Sequence, residues 1–297
     1  MNIDNLILQN ENFFLSAYGK TAGIVSILPD LTLLRHTHPT ELEAVVYNPV
    51  LCLILQGRKE TTVGTKSVNF GQGESLVVGH YLPVVSRITK ASPETPYLAV
   101  VLSLDLGLIR NLYDQIGDRD LETDNTEPLD VNIADERLIN ALGRYLELAN
   151  APEEATVMGP LILQEIHFRL LMAPNGGMLR RLVFRNSHAS RISRSIERIR
   201  QDFRTSLSVA ELAEVAGMSS SSFHEHFKVI TGTTPLQYLK EMRLLKAHRL
   251  LQEGAHSVTS TAFEVGYESA TQFSREYGRK FGVSPRQDLV SEPGQIN

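Results

Sequence analysis

Short apolar runs separated by turn-forming residues fill the chain from about residue 21 to residue 104. The four runs are ILPDLTLLR, NPVLCLILQG, ESLVVGHYLPVVSRI and PYLAVVLSLD, with glycines between them. Runs of this length, rich in valine, isoleucine and leucine and bounded by glycine or proline, are typical of β-strands. The pattern therefore predicts an antiparallel barrel or sandwich in this part of the chain.

Apolar residues at helical spacing follow the strands. The spacing predicts helices over residues 106–116, 135–149 and 160–172, the last with Pro160 at its first position, where proline is well tolerated. We expect these accessory helices to pack on the barrel or against a second subunit. With the strands, they predict an N-terminal domain of residues 1–172.

The next segment, APNGGMLRRLVFRNSHA, is rich in helix breakers and arginine, so we interpret residues 173–190 as a linker. Residues 191–297 then form a second domain. Two domains are what we expect for a chain of this length. Residues 1–190 carry 15 Lys and Arg against 22 Asp and Glu, whereas residues 191–297 carry 14 against 12. The net charge of −5 thus conceals a weakly basic C-terminal part.

The C-terminal part contains an internal repeat. The matched residues are 49 positions apart at the start of the repeat and 50 positions apart from Phe223 onward. The matched pairs are Ser208 with Ser257, Ala213 with Ala262, Gly217 with Gly266, Phe223 with Phe273, Phe227 with Tyr277, Gly232 with Gly282 and Pro235 with Pro285. A repeat of this kind predicts two copies of one supersecondary unit.

Each copy has the parts of a helix-turn-helix. Ser208 and Glu211 form a capping-box pattern that starts a first helix, and Gly217 and Gly266 suit the turns. The second helices begin near Ser219 and Ser269, with their aromatic residues four positions apart and inward, so that the intervening polar residues face outward.

The outward residues of the second helices are the candidate DNA contacts, because such helices enter the major groove. They are Ser221, Ser222, His224, Glu225, Lys228, Ser269, Thr271, Gln272 and Arg275. Arg275 suits a bidentate contact to guanine, and Gln272 one to adenine. The alternative for each is a surface residue without a partner.

Residues 235–252, PLQYLKEMRLLKAHRLLQ, predict one long helix between the two units. Its length would be about 27 Å at roughly 1.5 Å per residue. A spacer of this size could place two recognition helices about one DNA turn apart, with bending of the DNA.

The C-terminal part of the sequence resembles the AraC/XylS family of transcription regulators. The resemblance covers residues 208–288 and lies in SVAELAEVAGMSSSSFHEHFK, RLLKAHRLL and VGYESATQFSREYGRKFGVSPRQD. One departure is Glu225, where many relatives carry arginine; a carboxylate there would repel phosphate and could favour cytosine. The resemblance implies a sequence-specific regulator that binds an operator in double-stranded DNA.

Upstream, NPVLCLILQGRKETTVG and ASPETPYLAVVLSLD are similar to an N-terminal domain of the same family, over about residues 20–110. This resemblance implies a cupin-like barrel that senses a small molecule, whose identity the residues leave open. Gln56 and Arg58 could line its pocket or cap the turn. The expected fold is therefore α+β, a cupin-like β-barrel with accessory helices followed by an all-α domain of two helix-turn-helix units.

Two other functions are compatible with parts of the sequence. His36, His38 and Glu43 resemble the first metal motif of catalytic cupins, but His80 has the wrong spacing for a second motif. A nucleoid-type binder without a ligand fits poorly, because the N-terminal domain is acidic. We therefore expect a regulator and not an enzyme, with no catalytic residue, cofactor or metal.

The remaining expectations concern partners and compartment. The chain has no signal-like N-terminus and no long uncharged apolar stretch, so we expect a bacterial cytoplasmic protein that has no contact with a membrane. A single cysteine, Cys52, suits a reducing compartment and is expected to be buried in the core. Homodimerisation through helices between residues 135 and 172, and contact with RNA polymerase, are hypotheses; activation and repression both remain open.

Overall fold

A computed structural model describes residues 3–18, 23–116, 128–184, 187–253 and 257–290 of the 297-residue chain. These residues form an N-terminal part with two antiparallel β-sheets and a C-terminal part made of helices. The mixed α+β class predicted from the sequence is confirmed. No helix in these ranges is long and apolar enough to cross a membrane.

The larger sheet has six strands and the smaller has four within the described ranges. In spatial order, the strands of the larger sheet are β1 (Gly23–Leu28), β2 (Leu31–His36), β9 (Tyr97–Ser103), β4 (Val50–Gln56), β7 (Glu74–Val78) and β10 (Asp130–Ile133). Those of the smaller sheet are β3 (Glu43–Tyr47), β8 (Leu82–Lys90), β5 (Arg58–Val63) and β6 (Lys66–Gly71). All four runs proposed as strands lie in these two sheets, which enclose one core and are together called the barrel below.

Alternation along the strands gives the larger sheet two buried faces. Leu51 and Leu53 of β4 point to a core shared with helices, whereas Cys52 and Ile54 point to a core between the two sheets. Successive side chains of a strand face opposite ways, so both faces of β4 are covered. Cys52 is 5% exposed, and its predicted place in the core is confirmed.

Helices cover the outer face of the larger sheet: α1 (Ile3–Tyr18), α2 (Leu106–Ile116), α3 (Glu136–Glu147) and α4 (Pro152–Met172). Helix α2 has the predicted bounds. The prediction that α4 begins at Pro160 is wrong, because Pro152 takes the first turn and Pro160 lies inside the helix. Burial of Ile162, Ile166 and Leu170 beyond it outweighs the lost backbone hydrogen bond, a defect of about 3 kcal/mol.

The segment interpreted as a linker contains a packed helix, α5 (Gly177–Val183), and is not an extended tether. Its residues Leu179 and Val183 belong to the core beneath the larger sheet, whereas Met178 and Leu182 belong to a core of the C-terminal helices. Because this segment carries apolar residues on both faces, it packs as a helix in spite of its glycines and arginines. Helix α5 therefore joins the two parts of the chain.

Seven helices follow α5 in the part of the chain that the structure describes. They are α6 (His188–Asp202), α7 (Val209–Ala216), α8 (Ser220–Thr231), α9 (Pro235–Gln252), α10 (Val258–Glu264), α11 (Ala270–Phe281) and α12 (Pro285–Val290). The first four share one apolar core, and the last three share a second core with the end of α9. The long helix over residues 235–252 is confirmed with the predicted bounds.

Candidate nucleic-acid interface

The first helix-turn-helix comprises α7, a turn and α8. The Ser208 hydroxyl accepts a bond from the Glu211 N–H at 3.2 Å, and the Glu211 carboxylate accepts one from the Ser208 N–H at 2.7 Å, which confirms the capping box. Gly217 makes the turn with a left-handed φ of 63°. Ser219 then caps α8 by accepting from the Ser222 N–H.

The second unit, α10, a turn and α11, repeats this construction. Ser257 caps α10, Gly266 makes the turn with a φ of 89°, and Ser269 caps α11 by accepting from the Gln272 N–H at 3.3 Å. The repeat in the sequence therefore corresponds to a repeat of helix, turn and helix. Ser269 has a structural role at the helix start in addition to its candidate role at DNA.

Buried aromatic residues fix how α8 and α11 are rotated. Phe223 and Phe227 of α8, and Phe273 and Tyr277 of α11, are all 0% exposed. Because residues four apart lie on one helix face, their burial turns the residues between them towards solvent. Eight of the nine candidate DNA contacts are exposed, Ser222 being half-buried; the eight are Ser221, His224, Glu225, Lys228, Ser269, Thr271, Gln272 and Arg275.

The two foremost candidates on α11 differ in how free their side chains are. The Gln272 amide donates to the Glu276 carboxylate at 3.3 Å, and the Tyr267 hydroxyl donates to the same carboxylate at 2.8 Å. Arg275 is exposed and has no acidic partner within 4.0 Å among the described residues. Its guanidinium is therefore available to a partner outside the chain, whereas Gln272 would have to exchange a contact.

A pair of stacked imidazoles attaches α8 to the start of α6. The rings of His188 and His226 have centroids 3.7 Å apart and lie 28° from parallel. The pKa of His188 is lowered by burial, then by His226 and Arg191. The His188 ring is therefore favoured in its neutral form near pH 7 in this contact.

The two units are fastened to each other at the loop before α7. Arg243 of α9 donates to the carbonyls of Phe203 and Thr205, each at 2.7 Å. Gly266 lies so close to this loop that a Cβ on it would be 2.4 Å from the Arg204 carbonyl oxygen. These contacts, together with α9 itself, hold the two recognition helices in place relative to each other.

The barrel contacts the first unit directly. The buried Tyr238 hydroxyl of α9 donates to the Tyr81 carbonyl at 2.5 Å, and the Arg200 guanidinium lies 4.9 Å from the centre of the Tyr81 ring. At the tip between β5 and β6, a Cβ on Gly64 would be 2.4 Å from the Gly232 carbonyl oxygen at the end of α8. Sequence patterning does not reveal these contacts, since Tyr238 has the same spacing as any core residue of α9.

The two residues suggested for the effector pocket make hydrogen bonds within the sheet region itself. The exposed Arg58 donates to Asn69 and lies 4.0 Å from Glu74, and the Gln56 amide donates to the Pro96 carbonyl at 2.8 Å. Both arrangements fit the alternative that these side chains cap a turn.

The three residues of the metalloenzyme alternative do not come together as one group, although Glu43 is near enough to His36 to raise its pKa against the larger effect of burial. His36 points towards Tyr97 inside the barrel, with ring centroids 6.4 Å apart, whereas His38 contacts the neighbouring Thr37 hydroxyl at 3.0 Å. Glu43 is exposed on β3. Within the described residues, no group of three or more His, Cys, Asp or Glu could hold a metal ion.

The chain has two helix-turn-helix units joined by one helix, and they follow a two-sheet barrel in the sequence. This arrangement defines a class of protein, the DNA-binding regulators. Comparison with known proteins identifies the family within this class. Residues 27–178 match the description "AraC-type transcriptional regulator N-terminus", and residues 212–289 match "Helix-turn-helix domain". The chain belongs to the AraC/XylS family of transcription regulators, and it is not an enzyme.

Known regulators match either most of the chain or its C-terminal third. The virulence regulon transcriptional activator VirF of Yersinia enterocolitica is 25% identical over 253 residues, which are 82% of this chain and 89% of VirF. The transcriptional activator RhaS of Escherichia fergusonii is 35% identical over 98 residues, 33% of this chain and 35% of RhaS. The fold of ToxT from Vibrio cholerae is similar, with a TM-score of 0.54 at 14% identity, covering 89% of this chain and 98% of ToxT.

Proposed function

We propose that this protein activates transcription by reading two consecutive major-groove segments with α8 and α11, under the control of a small molecule bound in the barrel. The observation that carries the DNA-binding part is the outward face of the two recognition helices. Buried aromatic pairs turn the candidate residues to solvent in both units at once. Activation is supported by the names of VirF and RhaS, which are both called transcriptional activators. Contact with RNA polymerase, in the bacterial cytoplasm, is part of the same proposal.

Arg275 and Gln272 are the residues we assign to base recognition in the second unit. Arg275 would donate in a fork to the O6 and N7 atoms of guanine, and Gln272 would exchange its bond to Glu276 for a bidentate contact to adenine. The other exposed candidates, with Ser222 at the edge of the surface, would contact phosphate or further bases. Glu225 would exclude phosphate from its part of α8.

Control by an effector requires that the barrel and the DNA-binding helices respond to each other. We place the boundaries at residues 172 and 191, with α5 as a connector whose two faces pack on both sides. The contacts of Tyr81 with Tyr238 and Arg200 give the barrel a second attachment, to the first unit alone. Because Arg243, Gly266 and α9 hold the two units together, a ligand that moves this part of the barrel would move both recognition helices as one body relative to the barrel.

A homodimer is supported by an apolar patch on α4. Val157, Met158 and Leu161 are 67%, 37% and 56% exposed, although they lie close together on one helix. Contiguous exposed apolar residues mark interaction surfaces in soluble proteins. We expect sedimentation to give a dimer and Leu161→Asp to give a monomer; a monomeric mass for the unaltered protein would contradict the dimer.

The test of the proposed function is selection of bound duplexes from a random DNA pool by the full-length protein. We expect one motif with two elements about one helical turn, roughly 34 Å, apart. Binding of the pool without enrichment of any motif would refute sequence-specific regulation. Metal-depleted protein should select the same motif, and a motif that requires added metal would revive the metalloenzyme alternative.

A further inference from the structure

A cleft of about 470 Å³ opens between the two helix-turn-helix units. Helix α9 and the loop before α7 form one wall, which we call the α9 wall, and the second unit forms the other. Gln272, which we assign to base recognition, lines the wall of the second unit. The cleft therefore borders the face of the protein that DNA meets when α11 lies in a major groove.

Lys240 of α9 brings a positive charge to this cleft. Its side chain is half-buried, and no carboxylate among the described residues lies within 4.0 Å of its ammonium. The two arginines of the α9 wall are engaged, because Arg204 pairs with Glu264 at 3.3 Å and Arg243 donates to two backbone carbonyls. A lysine that loses solvent usually gains a partner. Of these three cations, Lys240 is therefore the one open to an anion from outside the chain.

An exposed leucine lies beside Lys240. Leu236 is 55% exposed and lines the same cleft. It precedes Lys240 by four positions, so the two side chains share one face of α9. The α9 wall thus presents an apolar surface next to an available positive charge.

The wall of the second unit carries two carboxylates. Glu276 accepts from the Tyr267 hydroxyl at 2.8 Å and from the Gln272 amide at 3.3 Å. Glu268 is exposed. Burial lowers the pKa of Arg243, whereas Tyr267 and Glu268 raise it in part, which places Glu268 near the base of the α9 wall. A negatively charged group in the cleft would therefore lie against Lys240 and away from α11.

The geometry of DNA identifies the group that reaches this cleft. Two consecutive major-groove segments on one face of a duplex are separated by a minor groove, and the sugar–phosphate backbone crosses between them. A protein with α8 in one segment and α11 in the next meets that backbone with the surface between the two helices. The backbone alternates charged phosphates with apolar deoxyribose carbons, which suits a lysine beside an exposed leucine.

We propose that the α9 wall binds the DNA backbone between the two operator elements, with Lys240 on a phosphate and Leu236 against the adjoining deoxyribose. The inference rests on the proposed function, because it requires that both recognition helices meet one duplex. It gives α9 a DNA contact of its own in addition to its role as a spacer. Such a contact fixes the position of the duplex without reading its sequence.

The experiment measures binding of the full-length protein to a duplex at increasing salt concentration. Each phosphate that a cation neutralises changes the slope of log K against log salt concentration by about 0.9. The variants are Lys240→Gln, which removes the charge, and Lys240→Arg, which keeps it. The matched control is Lys246→Gln, because Lys246 is a half-buried lysine of the same helix that does not line the cleft.

We expect Lys240→Gln to make the slope shallower by about 0.9, whereas Lys240→Arg and Lys246→Gln keep the slope of the unaltered protein. Lys240→Gln should also weaken binding to the selected operator and to its single-base variants by the same factor, because a phosphate contact does not distinguish bases.

A change in the DNA locates the contact. Neutral methylphosphonates that replace the phosphates between the two operator elements should weaken binding of the unaltered protein. They should cost Lys240→Gln no further affinity, because the variant has already lost the same interaction. If Lys240→Gln does not fold, the methylphosphonates decide the matter with the unaltered protein alone.

Two results would overturn the proposal: Lys240→Gln keeps the slope of the unaltered protein, or neutral phosphates between the elements cost no affinity. The slope is measured on a duplex of random sequence as well, so that this part of the test does not depend on an operator. A shallower slope on random DNA without any selected motif would refute sequence-specific regulation alone. A selected motif with an unchanged slope would refute the Lys240 contact alone.

Discussion

Replacing Arg275 with alanine is expected to remove recognition of one base pair and leave the fold intact. The side chain is exposed, has no acidic partner within 4.0 Å among the described residues, and lies between the buried Phe273 and Tyr277, which hold α11 in place. The free energy of unfolding should therefore change by no more than about 0.5 kcal/mol. A lost bidentate contact to guanine should weaken operator binding by about 1–3 kcal/mol, or roughly 5- to 150-fold.

The assay is the equilibrium binding of full-length protein to the selected operator and to its single-base variants. The unaltered protein should distinguish all four bases at the position contacted by Arg275, and Arg275→Ala should bind those four duplexes equally. Arg286→Ala is the matched control, because it removes one exposed positive charge from α12, the helix that follows α11 and packs on the same core. If Arg275→Ala weakens binding to every duplex by the same factor, Arg275 contacts phosphate, and the assignment to a base is refuted.

Gly266→Ala should lower the free energy of unfolding of the C-terminal domain in urea by about 1–3 kcal/mol more than Gly282→Ala does. Both glycines have a positive φ, but only a Cβ on Gly266 would press against Arg204. Equal losses of stability would contradict the contact. Glu225→Arg should tighten binding to any duplex and steepen the slope of log K against log salt concentration by about one. Unchanged binding would show that α8 does not approach the DNA backbone at this residue. Burial lowers the pKa of His80 to about 4, so the unfolded state takes up its proton first as the pH falls from 6.5. Stability should then fall by about 3 kcal/mol between pH 6.5 and 4 on account of this residue, and His80→Leu should flatten that slope in unfolding measured across the range.

The C-terminal domain was predictable from sequence because its signals are local. Capping serines, left-handed glycines and aromatic residues four apart act within one or two helical turns, and each recurs in the second unit. Ser208, Gly217 and Gly266 accordingly have the roles that the sequence indicates. The outward direction of Arg275 follows from the same local rule, since its neighbours on the helix are buried.

What the sequence missed depends on contacts between distant residues. The segment of α5 was interpreted as a linker because its glycines and arginines are typical of linkers. Its burial depends on two cores formed by residues distant in the sequence, which local patterns do not reveal. The start of α4 was misplaced for a related reason, because packing beyond Pro160 keeps the helix continuous.

If one chain reads two consecutive major-groove segments, the spacing of the two operator elements must match the separation that α9 imposes. The most direct measurement is binding to the selected operator and to a version with about five extra base pairs between its elements, which turns one element to the opposite face of the DNA. The fixed contacts of Arg243 and Gly266 prevent α11 from following. We predict that affinity falls to that for a single element; unchanged affinity would contradict the two-unit reading of DNA.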